Sequence, residues 1–338
     1  MKPIRVLIVD DSAFARKVLR EALSARPEFE VVGIARDGLE ALERIAELKP
    51  DVVTLDLVMP NLDGLGVLRE LTPDGPRVVV VSMADENSEL GVAALQAGAV
   101  ELVHKPTSLA TDRLYELSDE LVRKVRSASL TTPKRVLAAG EKITLPTRAI
   151  TKRLLLMGAS TGGPQALTQL LRRLPASFPV PIAIVLHMPV GYTAAFAKRL
   201  DEDCALTVAE AEEGLALVPG LVVIARAGTH LKLHRQDERI SCRLDAHPVG
   251  SLHRPSVDVL FGSVATELAA DVLAVVLTGM GDDGLIGSRA LHANGGTILT
   301  ESAASCVVDG MPRSVREAGL STAEASIAAM PDLITRYL

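Results

Sequence analysis

Short, nearly continuous runs of Val, Ile and Leu, separated by amphipathic stretches, leave this chain few architectures. In the first 126 residues the runs are Ile4–Val9, Val31–Ala35, Val52–Leu55, Arg77–Val81 and Glu101–Val103. Helical periodicity falls near Ala13–Ser24, Leu39–Leu48, Leu65–Leu71 and Glu89–Gln96, with a last helix near Asp112–Arg126. A strand without a polar face must be covered on both sides, which a parallel sheet flanked by crossover helices achieves. Five such units predict an α/β, flavodoxin-like doubly wound domain over residues 1–126. The pattern fades into Ser, Thr, Pro, Gly and basic residues over 127–152, which reads as a linker. It resumes at Leu154–Met157, Ile182–Leu186 and Val272–Leu277, predicting a second, Rossmann-like parallel α/β domain over residues 153–338. A hairpin is expected around Val222–Leu244, turning near Gln236–Glu238.

Charge separates along the same boundaries. Residues 1–126 carry 16 Lys+Arg against 22 Asp+Glu, residues 127–152 carry 5 against 1, and residues 153–338 carry 15 against 19. Two acidic domains therefore flank a basic connector. Nucleic-acid binding is disfavoured, since Trp is absent and three Tyr and five Phe offer little stacking surface. No apolar run approaches the roughly 18 residues of a spanning helix, so no membrane insertion is expected. Met1-Lys2-Pro3-Ile4 runs straight into a short strand closed by Asp10-Asp11, unlike a signal peptide. Cys204, Cys242 and Cys306 form no CxxC pair and an odd set, pointing to a reduced cytoplasm.

Ligands of open parallel sheets gather at the carboxyl ends of the strands. Asp10 and Asp11 end the first predicted strand, Asp56 the third, Ser82 the fourth, and Lys105-Pro106 the fifth. Three carboxylates on one edge repel one another unless a cation joins them. Such an oxygen-rich set suits Mg²⁺, which accepts phosphoryl oxygens as further ligands. A carboxylate attacking a phosphodonor there would give an acyl phosphate. One Asp at a strand end more often caps the next helix, as Ser12 can here. Five positions at the ends of four strands favour a site instead.

On these residues, with Thr54-Leu55-Asp56-Leu57 and Met59-Pro60-Asn61-Leu62-Asp63-Gly64, residues 4–126 resemble the response-regulator receiver family. The resemblance implies that Asp56 is the phospho-acceptor. It also implies that Asp11, Asp56 and the Val58 carbonyl hold Mg²⁺ with Asp10 behind them, and that Ser82 and Lys105 sense the phosphoryl group. One position departs from the family pattern. Receivers usually carry an aromatic residue three positions before the lysine, and this chain has Leu102.

In the second domain, Gly158-Ala159-Ser160-Thr161-Gly162-Gly163-Pro164 joins an apolar strand to the helical pattern Gln165–Leu174. A GxSxG turn in that setting exposes a serine beside free helix N–H groups, which can stabilise an oxyanion. On shape alone the turn could equally cradle a phosphate. The strand Pro181–Leu186 ends at His187-Met188-Pro189, and Ala274–Leu277 runs into Thr278-Gly279-Met280-Gly281-Asp282-Asp283-Gly284. A lone His is more often structural than catalytic. Here Ser, His and Asp all leave strands of one sheet on one edge, as a nucleophile, its base and an orienting carboxylate require. The order Ser, His, Asp excludes an α/β-hydrolase, which runs Ser, Asp, His.

These motifs continue through His253-Arg254-Pro255-Ser256-Val257-Asp258-Val259-Leu260-Phe261 and Ser305-Cys306-Val307-Val308 to Gly310-Met311-Pro312. With them, residues 153–338 resemble the catalytic domain of the chemotaxis protein-glutamate methylesterase (CheB) family. The resemblance implies Ser160 as nucleophile, His187 as general base and then acid, and Asp283 as its orienting carboxylate. Backbone N–H groups of Met280 and Thr161 are implied as oxyanion donors, and no cofactor is implied in this domain. The family usually has Asn-Asp where this chain has Asp282-Asp283; spacing gives the role to Asp283, and Asp282 either raises the histidine's basicity or, the favoured reading, faces solvent.

The two resemblances together imply phosphorylation-activated hydrolysis of glutamate methyl esters, and deamidation of glutamines, on chemoreceptor cytoplasmic helices. A chemotaxis histidine kinase would be the phosphodonor. The same esterase could instead serve a non-motility chemosensory array. Two rivals come from other classes: a receiver-controlled DNA-binding regulator, against which stand the acidic second domain and the absence of a helix-turn-helix ending, and a non-catalytic scaffold, which labelling of Ser160 by a serine-directed fluorophosphonate probe would exclude. Among other residues, His230, Lys232 and His234 read as the polar face of a strand rather than metal ligands. His253-Arg254 lines either the substrate cleft or an interdomain contact, and Cys306 reads as an apolar packer.

Overall fold

The computed structural model describes residues 2–72, 74–105, 111–131, 143, 145, 150–248 and 250–338, in two compact units, Met1–Val136 and Leu137–Leu338. Pro106 and most of the expected linker lie outside the described residues. Among the described residues, no helix is long and apolar enough to cross a membrane.

The first unit holds strands β1 (Ile4–Val9), β2 (Phe29–Ala35), β3 (Val52–Leu55), β4 (Arg77–Ser82) and β5 (Glu101–His104). They form one parallel sheet in the order β2-β1-β3-β4-β5. Helices α1 (Ala13–Ser24), α2 (Gly38–Leu48), α3 (Gly64–Glu70), α4 (Ala84–Gln96) and α5 (Thr111–Ser129) complete the doubly wound fold. Caps explain where three of them begin. Ser12 Oγ accepts from the Ala15 N–H, Asp37 from Glu40 and Asp63 from Gly66, so each polar residue takes an otherwise unpaired helix donor. The last helix passes residue 126, where the sequence places its end, because Val125 and Ala128 continue its buried stripe.

The second unit holds β6 (Leu154–Ala159), β7 (Ile182–Leu186), β8 (Thr207–Glu210), β9 (Leu221–Ile224), β10 (His230–Gln236), β11 (Arg239–Asp245), β12 (Val272–Val276), β13 (Thr297–Glu301) and β14 (Ala323–Ala325). Seven of these form a parallel sheet in the order β14-β13-β12-β6-β7-β9-β8. Its helices are α6 (Gly163–Leu171), α7 (Thr193–Asp203), α8 (Val257–Val264), α9 (Leu285–Ala293), α10 (Met311–Glu317) and α11 (Met330–Tyr337). The central strands β6, β7 and β12 are buried throughout, as strands covered on both faces must be. Val257, Leu260, Phe261 and Val264 of α8 join the core that covers this sheet.

Two expectations are corrected here. The hairpin is shorter than Val222–Leu244: β10 and β11 form its two strands, whereas Leu221–Ile224 is a separate strand between β7 and β8. Its apolar run Leu-Val-Val-Ile suits a doubly covered strand, not one arm of an exposed ribbon. The turn does fall at Asp237-Glu238, with Asp237 in the left-handed region at φ 55°. His230 does not share an open polar face with Lys232 and His234. It is fully buried, because residues 246–248 return over the start of β10 and its Nε2 meets the Pro248 carbonyl oxygen at 3.2 Å. Burial holds the imidazole below its ordinary value.

Candidate active site

Each sheet has one point where successive connections depart in opposite directions, and each candidate site sits there. In the first unit that point lies between β1 and β3. Ligand oxygens of Asp10 and Asp11, after β1, and Asp56, after β3, lie within 4.8 Å of one another. Lys105 Nζ, from the end of β5, donates to Asp10 Oδ2 at 2.7 Å and Asp56 Oδ2 at 2.8 Å. The Ser12 and Leu57 N–H groups donate to the other oxygens of Asp10 and Asp56 at 2.9 and 2.7 Å. Asp10 is fully buried, and that burial raises its pKa against the opposing pull of Lys105. Burial depresses the Lys105 ammonium, but its bonds to Asp10 and Asp56 outweigh that and leave its pKa raised.

Ser82 is buried at the end of β4, and its carbonyl accepts the Lys105 N–H at 2.8 Å. Val58 lies in the loop between β3 and α3, and Leu102 is buried on β5. Gly64 is sterically required there, since a Cβ would lie 2.4 Å from the Asp56 carbonyl oxygen. A buried carboxylate grouped with two others, with one lysine to offset them, fits a hard divalent cation with oxygen ligands.

In the second unit the reversal lies between β6 and β12. Ser160 follows β6, His187 follows β7, and Met280 and Asp283 lie in the loop after β12. The turn is closed by the Ser160 N–H donating to the Thr278 carbonyl at 3.0 Å and the Gly163 N–H to the Ser160 carbonyl at 2.6 Å. Gly162 has φ 78°, and a Cβ there would lie 2.5 Å from Val307 Cβ. Gly279 brings the β12 loop against the serine, for a Cβ on it would fall 2.8 Å from Ser160 Cβ. The next residue is Met280, and among the described residues no acceptor takes its N–H. Thr161 is buried, and its carbonyl accepts from Thr278 Oγ1 at 2.9 Å.

His187 Nε2 bonds Asp283 Oδ2 at 2.8 Å. With the Nε2 proton facing that carboxylate, Nδ1 is the basic nitrogen. It is buried and has no hydrogen-bond partner. Asp283 is gripped further by the start of α8: Ser256 Oγ donates to Oδ1 at 2.8 Å, the Val257 N–H to Oδ2 at 2.7 Å and the Asp258 N–H to Oδ1 at 3.0 Å. Burial would raise the Asp283 pKa, but His187 and these N–H donors prevail and hold it well below the usual range. Asp258 reciprocates, its Oδ1 accepting the Gly284 and Gly287 N–H groups at 2.9 and 2.7 Å, so it caps α9. Burial pushes Asp258 up to about 6. Asp282 is exposed.

Sequence reasoning missed Ser256, Asp258 and the stacking of His253 on His187. A signal existed for Ser256. Ser256 precedes the apolar helix α8 in an N-cap position, and the free N–H groups there attract a carboxylate.

Residues 155–334 match the family model described as CheB methylesterase, and residues 6–116 match that of the response regulator receiver domain. The protein-glutamate methylesterase/protein-glutamine glutaminase 5 of Myxococcus xanthus is 59% identical over 344 residues, covering 100% of this chain and 99% of its own. The protein-glutamate methylesterase/protein-glutamine glutaminase of Thermotoga maritima is 41% identical over 320 residues, covering 94% and 93%. The crystal structure of the Thermotoga maritima CheB methylesterase catalytic domain is 38% identical, with a TM-score of 0.54, and covers 56% of this chain and 100% of that domain.

Proposed function

The chain belongs to the CheB methylesterase family, and from that premise we propose that it hydrolyses glutamate γ-methyl esters on the cytoplasmic helices of chemoreceptors. The observation that carries this reading is the His187–Asp283 pair beside the Ser160 turn, at the point where the sheet reverses direction. Ser160 Oγ attacks the ester carbonyl carbon as its proton passes to His187 Nδ1, and the Met280 and Thr161 N–H groups receive the oxyanion. As the C–O bond to the methoxy group breaks, His187 returns the proton and methanol leaves. Water then gives a proton to Nδ1 and attacks the glutamyl-serine ester. Ser160 departs with that proton, and glutamate is released. Asp283 stabilises the imidazolium in both halves. A glutamine side chain follows the same course with ammonia leaving.

Asp56 takes the phosphoryl group from a histidine kinase and thereby raises the esterase rate. Asp11, Asp56 and the Val58 carbonyl would hold Mg²⁺, with Asp10 behind them, and the bound ion supplies neutralisation of phosphoryl charge. Lys105 and Ser82 bind the remaining phosphoryl oxygens. The work is done in the cytoplasm. The test is methanol release from methylated receptor, with and without a small phosphodonor. Ser160→Ala abolishes release while Asp56 still takes up phosphate, and Asp56→Asn removes the response to phosphodonor. An active Ser160→Ala enzyme would overturn the nucleophile assignment.

A further inference from the structure

Resting on that reading of Ser160 and His187, we propose that His253 is a positioning residue whose ring fixes the plane in which the His187 imidazole works. The two rings lie face to face, with centroids 4.0 Å apart and planes inclined by 15°. Asp283 grips His187 at Nε2 alone, which anchors one atom and leaves the ring able to pivot about it. Nδ1, on which the serine proton must land, would swing with that pivot. No hydrogen bond opposes the swing, because Nδ1 has no partner. A flat ring stacked on one face does oppose it.

The support comes from a single stretch of chain. His253 stands three residues before Ser256, whose hydroxyl donates to Asp283 at 2.8 Å. The same segment therefore sets the carboxylate and the ring that the carboxylate orients. The stack also acts during turnover. When His187 takes the proton its ring becomes a cation, and the π face of the neighbouring ring meets that charge. Both effects belong to the chemical step rather than to substrate binding.

The experiment compares His253→Ala, His253→Phe and His253→Leu in the full chain, alongside Ser160→Ala. Methanol release from methylated receptor is read as kcat and KM, with circular dichroism and Asp56 phosphorylation as folding controls. His253→Ala should lower kcat roughly ten- to hundredfold, the scale expected when a reacting atom is misplaced, with KM within about twofold. His253→Phe keeps a flat π face and should restore most of the rate, whereas His253→Leu fills the space without one and should stay slow. Should His253→Ala fail to fold, the Phe and Leu variants decide, and equal rates for them overturn the proposal. So does a His253→Ala kcat within twofold of the parent, or a loss confined to KM. If Ser160→Ala is inactive while His253→Ala runs at full rate, only this inference fails; if Ser160→Ala is active, the nucleophile reading itself is wrong.

Discussion

Replacing Asp283 by Asn removes a charge without changing shape, and the partners of its two oxygens set the consequences. Oδ2 accepts from His187 and the Val257 N–H, and Oδ1 from Ser256 Oγ and the Asp258 N–H. An amide has one oxygen for these two positions. With that oxygen at the Oδ2 position, the NH₂ group faces the Asp258 N–H, donor against donor. With the amide flipped, the NH₂ group faces the Val257 N–H and donates to His187 Nε2, which moves the ring proton to Nδ1 and removes the base. Either way one helix N–H loses its acceptor, at a cost of about 1–3 kcal/mol. Loss of the tautomer or of the stabilised imidazolium should lower kcat by roughly 10²- to 10⁴-fold, about 3–5 kcal/mol of barrier at 1.36 kcal/mol per tenfold. Methanol release measures the loss of rate, and urea denaturation of the full chain measures the loss of stability. An Asp283→Asn enzyme within tenfold of the parent in kcat, or within about 0.5 kcal/mol in stability, would refute the reasoning.

Asp258 should behave differently, because burial raises its carboxyl to about 6 from 3.8. A carboxyl raised on folding contributes stability that is present below its unfolded value and lost as pH rises through about 6. Asp258→Asn should therefore flatten that decline in urea titrations run across this range. Gly279→Ala places a methyl 2.3 Å from Met311 Sδ and 2.8 Å from Ser160 Cβ. The methionine can move aside but the serine turn cannot, so methanol release should fall roughly 10²-fold. Chelation with EDTA should abolish the response to phosphodonor, and excess Mg²⁺ should restore it; a response that survives chelation refutes the cation's role.

The receiver strands are legible in the sequence because each centres on a short apolar run, and their ends place Asp10, Asp56 and Lys105 on one edge. The positions of Ser160, His187 and Asp283 beyond the ends of three neighbouring strands are legible for the same reason. Short edge strands are not: Thr207–Glu210 and Ala323–Ala325 are partly exposed and carry no apolar run, so only their neighbours make them strands. The alternation misplaces His230 because a period of two gives the face a side chain points to and says nothing of what later covers that face. Asp258 and His253 are hidden for another reason. Their partners, Gly284 with Gly287 and His187, are remote in sequence, and no local pattern pairs them.

The crossed caps, Asp283 on α8 and Asp258 on α9, have a bearing on how this enzyme wears out. Many active sites hang on loops that loosen before the body of the protein melts. Here the carboxylate that bonds His187 is also the lock on one helix, and its neighbour locks the other. The pair therefore behaves as a cross-brace between two beams. The site loosens only when the beams part, so on heating, inactivation should coincide with melting of the second unit rather than precede it.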